Sequence, residues 1–170
     1  VGDGFIGKPL SDMGIVRLAM EPRLQGVDVM ATAPGGRRVL FCKTSGRVLT
    51  TNHSDMIYAR ERLVGPRWEF APAQGERARR GFEIGCSLDS LLVTSSMLSM
   101  RELQEFPEGR YWLCDWPDLG EAPEHVAPLR VARQLLRGKH SVAELVATTR
   151  IGADEVSACL WAFAASGLLL

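Results

Sequence analysis

Only three side chains in this 170-residue chain, His53, His125 and His140, titrate near neutral pH without help, and each stands alone in a turn-like or loop-like stretch. Acyl transfer needs a nucleophile, a base and an orienting carboxylate in register, but no serine or cysteine here lies in a nucleophile-elbow sequence. No two histidines share a helix face at metal-ligand spacing. No catalytic residue, metal site or cofactor is therefore expected. Gly2-Asp3-Gly4-Phe5-Ile6-Gly7 spells the dinucleotide-binding glycine pattern, yet that pattern works only between a strand and a helix that aims its amides at the phosphates. At residue 2 it reads as an entry segment. Cys42, Cys86, Cys114 and Cys159 are too widely spaced for a zinc knuckle and suit reduced, packed thiols, with no disulfide expected. Arg77-Ala78-Arg79-Arg80 has the composition of a phosphate-binding tip, but with Glu76 and Glu83 beside it a solvated loop is the simpler reading.

Recognition chemistry is better represented near the C-terminus. Arg130, Arg133 and Arg137 recur at i, i+3 and i+7 and put a basic stripe on one helix, extended by Lys139. Such a stripe could follow a phosphate backbone. Three to five cations give only weak, salt-sensitive, sequence-blind association with DNA, so a solvated stripe or a dock for an acidic protein is expected instead. Base reading is also poorly served: residues 151–170 contain no lysine, arginine, asparagine or glutamine, and Asp154 and Glu155 would repel phosphate. In that same stretch Val156, Cys159, Leu160 and Phe163 form one apolar stripe, while Ala158, Trp161, Ala162 and Ala165 form another. A helix apolar on both sides is buried on both sides. Trp161 is thus expected to anchor it, on the first domain or on another protein molecule. Trp112 and Trp116 sit in a segment rich in proline, glycine and acidic residues, and are candidates for packing along a domain or for protein contact.

The elements that must position these groups follow from periodicity and turn chemistry. The sequence predicts a strand over 4–10, then a helix capped by Ser11 that carries Met13, Val16, Leu18 and Met20 and stops at Pro22. A three-stranded antiparallel meander follows in Val27-Asp28-Val29-Met30-Ala31, residues 38–43 and residues 47–51, with turns at Pro34-Gly35-Gly36 and Ser45-Gly46. A helix over 54–63, a strand at Trp68-Glu69-Phe70 and a last strand at Phe82-Glu83-Ile84 complete the sheet. Ser87 then caps a long helix through Leu103, halted by Pro107. Residues 107–125 read as a linker. Beyond it, three helices follow, the second opening on a Ser141/Glu144 capping box and the third running from Ala153 to a stop at Gly167.

Several of these segments, taken in order, resemble a known family. Phe5-Ile6-Gly7-Lys8-Pro9-Leu10, Gly26-Val27-Asp28-Val29, Ser45-Gly46-Arg47-Val48, Trp68-Glu69-Phe70 and Cys86-Ser87-Leu88-Asp89-Ser90-Leu91-Leu92 are similar to successive motifs of the PatA N-terminal-like (PATAN) domain of bacterial signalling proteins. The run from Leu136-Arg137-Gly138 through Ser141-Val142-Ala143-Glu144-Leu145 to Ala165-Ser166-Gly167-Leu168 resembles the helix-turn-helix-like unit that often follows it. Between the hairpin and Trp68 the family usually has a longer helical stretch than Thr51-Asn52-His53-Ser54 introduces here. The resemblance implies a regulatory adaptor without catalytic residues.

Composition sets the remaining bounds. The hydrophobic share of 46% supports a real core, and twenty Lys and Arg balance twenty Asp and Glu, so no overall field recommends nucleic acid or an anionic membrane. No apolar run approaches the roughly 20 residues that span a bilayer, and no secretory signal is evident, so a cytoplasmic protein without a membrane partner is expected. The expected architecture is α+β: a small antiparallel sheet with flanking helices over 1–106, a linker over 107–125, and a tri-helical winged-helix-like domain over 126–170. The expected function is protein–protein interaction in bacterial signalling, with a homodimer as one form of it. The alternative is a DNA-binding regulator.

Overall fold

The computed structural model describes residues 12–120 and 125–170. The expected first strand, the Ser11 cap of the helix after it, the glycine pattern and the Phe5–Leu10 motif of the resemblance lie outside the described residues.

Helix α1 (Gly14–Met20) is followed by a 3-10 turn at Pro22–Leu24 and by strands β1 (Val29–Ala33), β2 (Arg37–Cys42) and β3 (Arg47–Thr50). Then come α2 (His53–Arg62), β4 (Glu69–Pro72), a 3-10 turn at Glu76–Arg79, β5 (Ile84–Ser87) and α3 (Leu88–Leu98). All strand pairs are antiparallel and the sheet order is β4-β1-β2-β3-β5. The fold is thus mixed α+β. Alternation along β1 turns Val29, Ala31 and Ala33 to one face, where Val39, Phe41 and Val48 join them, and α2 and α3 pack there. The opposite face carries a smaller apolar cluster of Leu40, Cys42 and Phe82, with Met30, Leu49 and Ala73 packed against it. Central strand β2 is in this way buried on both faces over residues 39–42.

Several boundaries depart from the sequence expectation for local reasons. β1 begins two residues later than the alternation suggests, because Gly26 turns with φ 69° and Asp28 accepts hydrogen bonds from the Thr44 backbone N–H and hydroxyl. The last strand starts at Ile84 rather than Phe82, whose ring packs in the second apolar cluster with the Arg38 guanidinium over it. α3 ends at Leu98, well short of Leu103. The chain leaves the helix at Ser99, whose φ of -119° and ψ of 24° are not helical, and Glu102 N–H donates back to Ser99 O in a separate turn. The free edge of β4 is closed by side chains: Arg17 donates to Trp68 O and Arg23 to Phe70 O.

The C-terminal part holds α4 (Ala127–Arg137), α5 (Val142–Thr149) and α6 (Ala153–Ser166). The segment read as a linker does more than connect. Residues 111–114 form a short strand between His140 on one side and residues 168–170 on the other, through Tyr111 and His140 exchanging two 2.9 Å backbone bonds, Trp112 pairing with Leu170, and Cys114 N–H donating to Leu168 O. Gly167, with φ 86°, supplies the left-handed residue that reverses the chain after α6 and makes this return possible. The capping box is half formed: Ser141 Oγ accepts from Glu144 N–H, but the Glu144 carboxylate is drawn away to Arg110. One apolar core runs without a break from Ile15 to Ala165, because α6 packs against both α1 and α3.

Candidate interaction surface

Helix α4 exists because Ala127, Pro128, Val131, Ala132 and Leu135 fall on one stripe and bury it, with Pro128 pre-set for the first turn. That leaves Arg130, Arg133 and Arg137 on the opposite flank, where they face the end of α5. Together with Gln134, Thr148 and Thr149 they line a groove of about 360 Å3. The two threonine hydroxyls donate to their own helix, to Glu144 O and Leu145 O, so the donors left for a ligand are the three guanidinium groups and the Gln134 amide. None of the ion pairs among the described residues uses Arg130, Arg133 or Arg137. The groove is therefore a shallow, cationic, donor-rich surface whose free donors suit carboxylates or phosphates. Lys139 does not line it; Lys139 is exposed beyond the helix, with its carbonyl held by Arg110. Gln134, four residues after Arg130 and three before Arg137, joins the stripe by helical spacing alone, whereas the threonine pair was not legible as its partner, since only the packing of α5 on α4 brings it there.

The three tryptophans proposed as anchors or contacts separate into two kinds. Trp161 is completely buried, edge-on to Phe106 at 4.7 Å, and its indole N–H donates to Gln104 O at 2.9 Å. It anchors α6 inside this chain and is no part of its surface. Every residue of 156–163 is at most 3% exposed, so α6 presents no face to DNA or to another protein there. Trp112 and Trp116 stay 42% and 48% exposed. Antiparallel pairing sets Trp112 directly across from Leu170, and side chains so paired share a face, so an indole and an exposed leucine stand side by side on the outside of the short strand. Leu136 on α4 is also exposed, at 39%.

Other candidates are accounted for locally. Arg79 of the arginine-rich turn pairs with Asp28 at 2.9 Å. Burial opposes the charge of Asp28, but hydrogen bonds from Arg79 and Thr44 hold its carboxyl below the usual range. Arg77 and Arg80 are solvated. The His140 ring bonds the Gly138 carbonyl, and among the described residues no hydrogen bond joins a histidine to a serine, cysteine or carboxylate. The four cysteines are free thiols; burial, then the nearby Glu155 charge, pushes Cys159 far up, leaving it inert at neutral pH. No helix among the described residues is long and apolar enough to cross a membrane.

No protein-family model, curated protein or solved structure matches the chain.

Proposed function

We propose that this chain is a non-enzymatic bacterial regulatory adaptor that works in the cytoplasm by binding other proteins, and that the groove between α4 and α5 receives an acidic segment of a partner. The observation that carries the reading is the convergence of Arg130, Arg133 and Arg137 on one groove with no carboxylate of the described chain engaging them. Three cations favour an acidic peptide over duplex DNA, which needs more phosphates neutralised to stay bound at physiological salt. Exposed Trp112 and Leu170 supply apolar area of the kind that dominates protein interfaces.

The PATAN-like reading of the first part is supported by its hairpin, short fourth strand and capped final helix. For the C-terminal part, three helices joined by short connections, with bridges from residues 111 and 113 to His140 and Leu169, are what supports a winged-helix-like unit. In such a unit the third helix ordinarily reads DNA. Here α6 is enclosed, which argues for a unit turned to protein contact.

The test is a titration of a fluorescently labelled, glutamate-rich peptide followed by anisotropy at physiological salt. Saturable binding that falls at least about tenfold in Arg130→Glu/Arg133→Glu/Arg137→Glu, with the melting temperature unchanged, is expected, since losing charge-assisted contacts costs about 1.4 kcal/mol per tenfold. Equal binding by both proteins removes the groove from the account.

A further inference from the structure

A second and larger groove, of about 810 Å3, lies on another flank of α5. Its lining includes Phe106, Val142, Ala143, Val146 and Ala147, with Ala153 at the start of α6. α5 buries only Leu145 and Thr149; Val142 and Val146 are half-buried against the edge of the core, and Ala143 and Ala147 are exposed, so the groove is floored by a partly covered apolar surface. Small side chains at i and i+4 leave room for another backbone to come close. The volume is within the range of about 300–1,000 Å3 typical of ligand-binding clefts.

Charge around this groove has the opposite sign to that of the arginine groove. Glu105, Glu108 and Glu144 line it against the single guanidinium of Arg110. Arg110 bridges across, donating to Glu144 at 3.2 Å, but both side chains of that pair are largely exposed, at 62% and 44%. A pair so hydrated exchanges easily for an incoming cation. The eight residues of α5 fix the length of the site: at 1.5 Å per residue they span about 12 Å, the length of about two helical turns.

We propose that this groove docks an amphipathic helix of about two turns, with apolar side chains seated on Val142 and Val146 and flanking lysines or arginines paired with Glu105, Glu108 and Glu144. The partner is a segment of another protein, of basic and apolar character. With a basic groove for acidic segments on one flank of α5 and an acidic-rimmed groove for basic ones on another, the C-terminal unit would hold two partners of opposite charge. The second groove does not depend on the first.

The probe is a labelled Leu/Lys peptide of helical period, read by anisotropy against the full chain. Binding is expected to weaken at least about tenfold in Glu105→Lys/Glu108→Lys, two exposed positions where folding is not at stake, and to persist in Arg130→Glu/Arg133→Glu/Arg137→Glu. A control peptide with its leucines replaced by serine, at the same charge, is expected not to bind. Equal binding by the wild type and Glu105→Lys/Glu108→Lys, equal binding of the serine peptide, or no binding of the leucine peptide overturns the proposal. Self-association of the unliganded chain that Glu105→Lys/Glu108→Lys abolishes would assign the groove to a second copy and overturn it equally.

Discussion

Lys43 illustrates how single residues in this protein are set by burial rather than by charge pairing. Its ammonium donates to Leu18 O at 3.3 Å and Leu24 O at 3.0 Å, and no carboxylate pairs with it among the described residues. Carbonyl dipoles offset only part of the lost hydration, so burial lowers its pKa from the ordinary 10.5 to about 8. The folded-state value is the depressed one, so between pH 8 and 10.5 the unfolded chain binds more protons than the folded chain, and stability rises with pH. Denaturant unfolding across that window should therefore show the wild type gaining on Lys43→Met as pH increases; parallel curves would contradict the shift. Trp161 makes a second case at this scale. Trp161→Ala removes a fully buried ring and leaves Gln104 O without its donor, so a loss of about 3–5 kcal/mol is expected by urea unfolding. Its burial was legible in part, because two apolar stripes on one helix require two packing surfaces.

Among the elements, α1 shows packing overruling propensity. Alanine is a better helix former than glycine by about 1 kcal/mol, yet a Cβ on Gly14 would collide with Leu63 O and come within 2.9 Å of Trp68 Cδ1. Gly14 N–H also donates to Gly65 O, which ties α1 to the α2–β4 connection. Gly14→Ala should accordingly lower the melting temperature, and a rise would show that the close approach relaxes. At α5 the local rule holds: Ser141→Ala is expected to cost about 1 kcal/mol, since Ser141 Oγ caps Glu144 N–H. The meander was legible because Pro34-Gly35-Gly36 and Ser45-Gly46 punctuate three alternating runs, and α4, α5 and α6 because their apolar spacing is helical. The pairing of β4 with β1, the early end of α3 and the strand at 111–114 were not, because each depends on partners distant in sequence: β1 for β4, and His140 and Leu170 for Trp112. The arginine stripe was likewise visible as a periodicity, whereas the groove it lines is made by α5.

For the whole molecule, α6 is the shared support. It lies against α1 and α3 on one side and against α4 and α5 on the other, and the apolar core is continuous through it. Calorimetry should therefore record one cooperative transition, with van't Hoff and calorimetric enthalpies equal; two separate transitions would mean that the sheet-bearing and helical parts unfold independently. With α6 enclosed, the surfaces proposed for recognition all lie at the periphery of the C-terminal part: the basic groove, the second groove and the Trp112–Leu170 face. The proposed role assigns this periphery to proteins rather than to nucleic acid. Anisotropy of labelled random duplex DNA, titrated at low and at physiological salt, tests it most directly. At most weak binding at low salt and none at physiological salt is expected, because three arginines neutralise too few phosphates. Tight binding that survives physiological salt and is lost in Arg130→Glu/Arg133→Glu/Arg137→Glu would contradict it and make the same groove a nucleic-acid site.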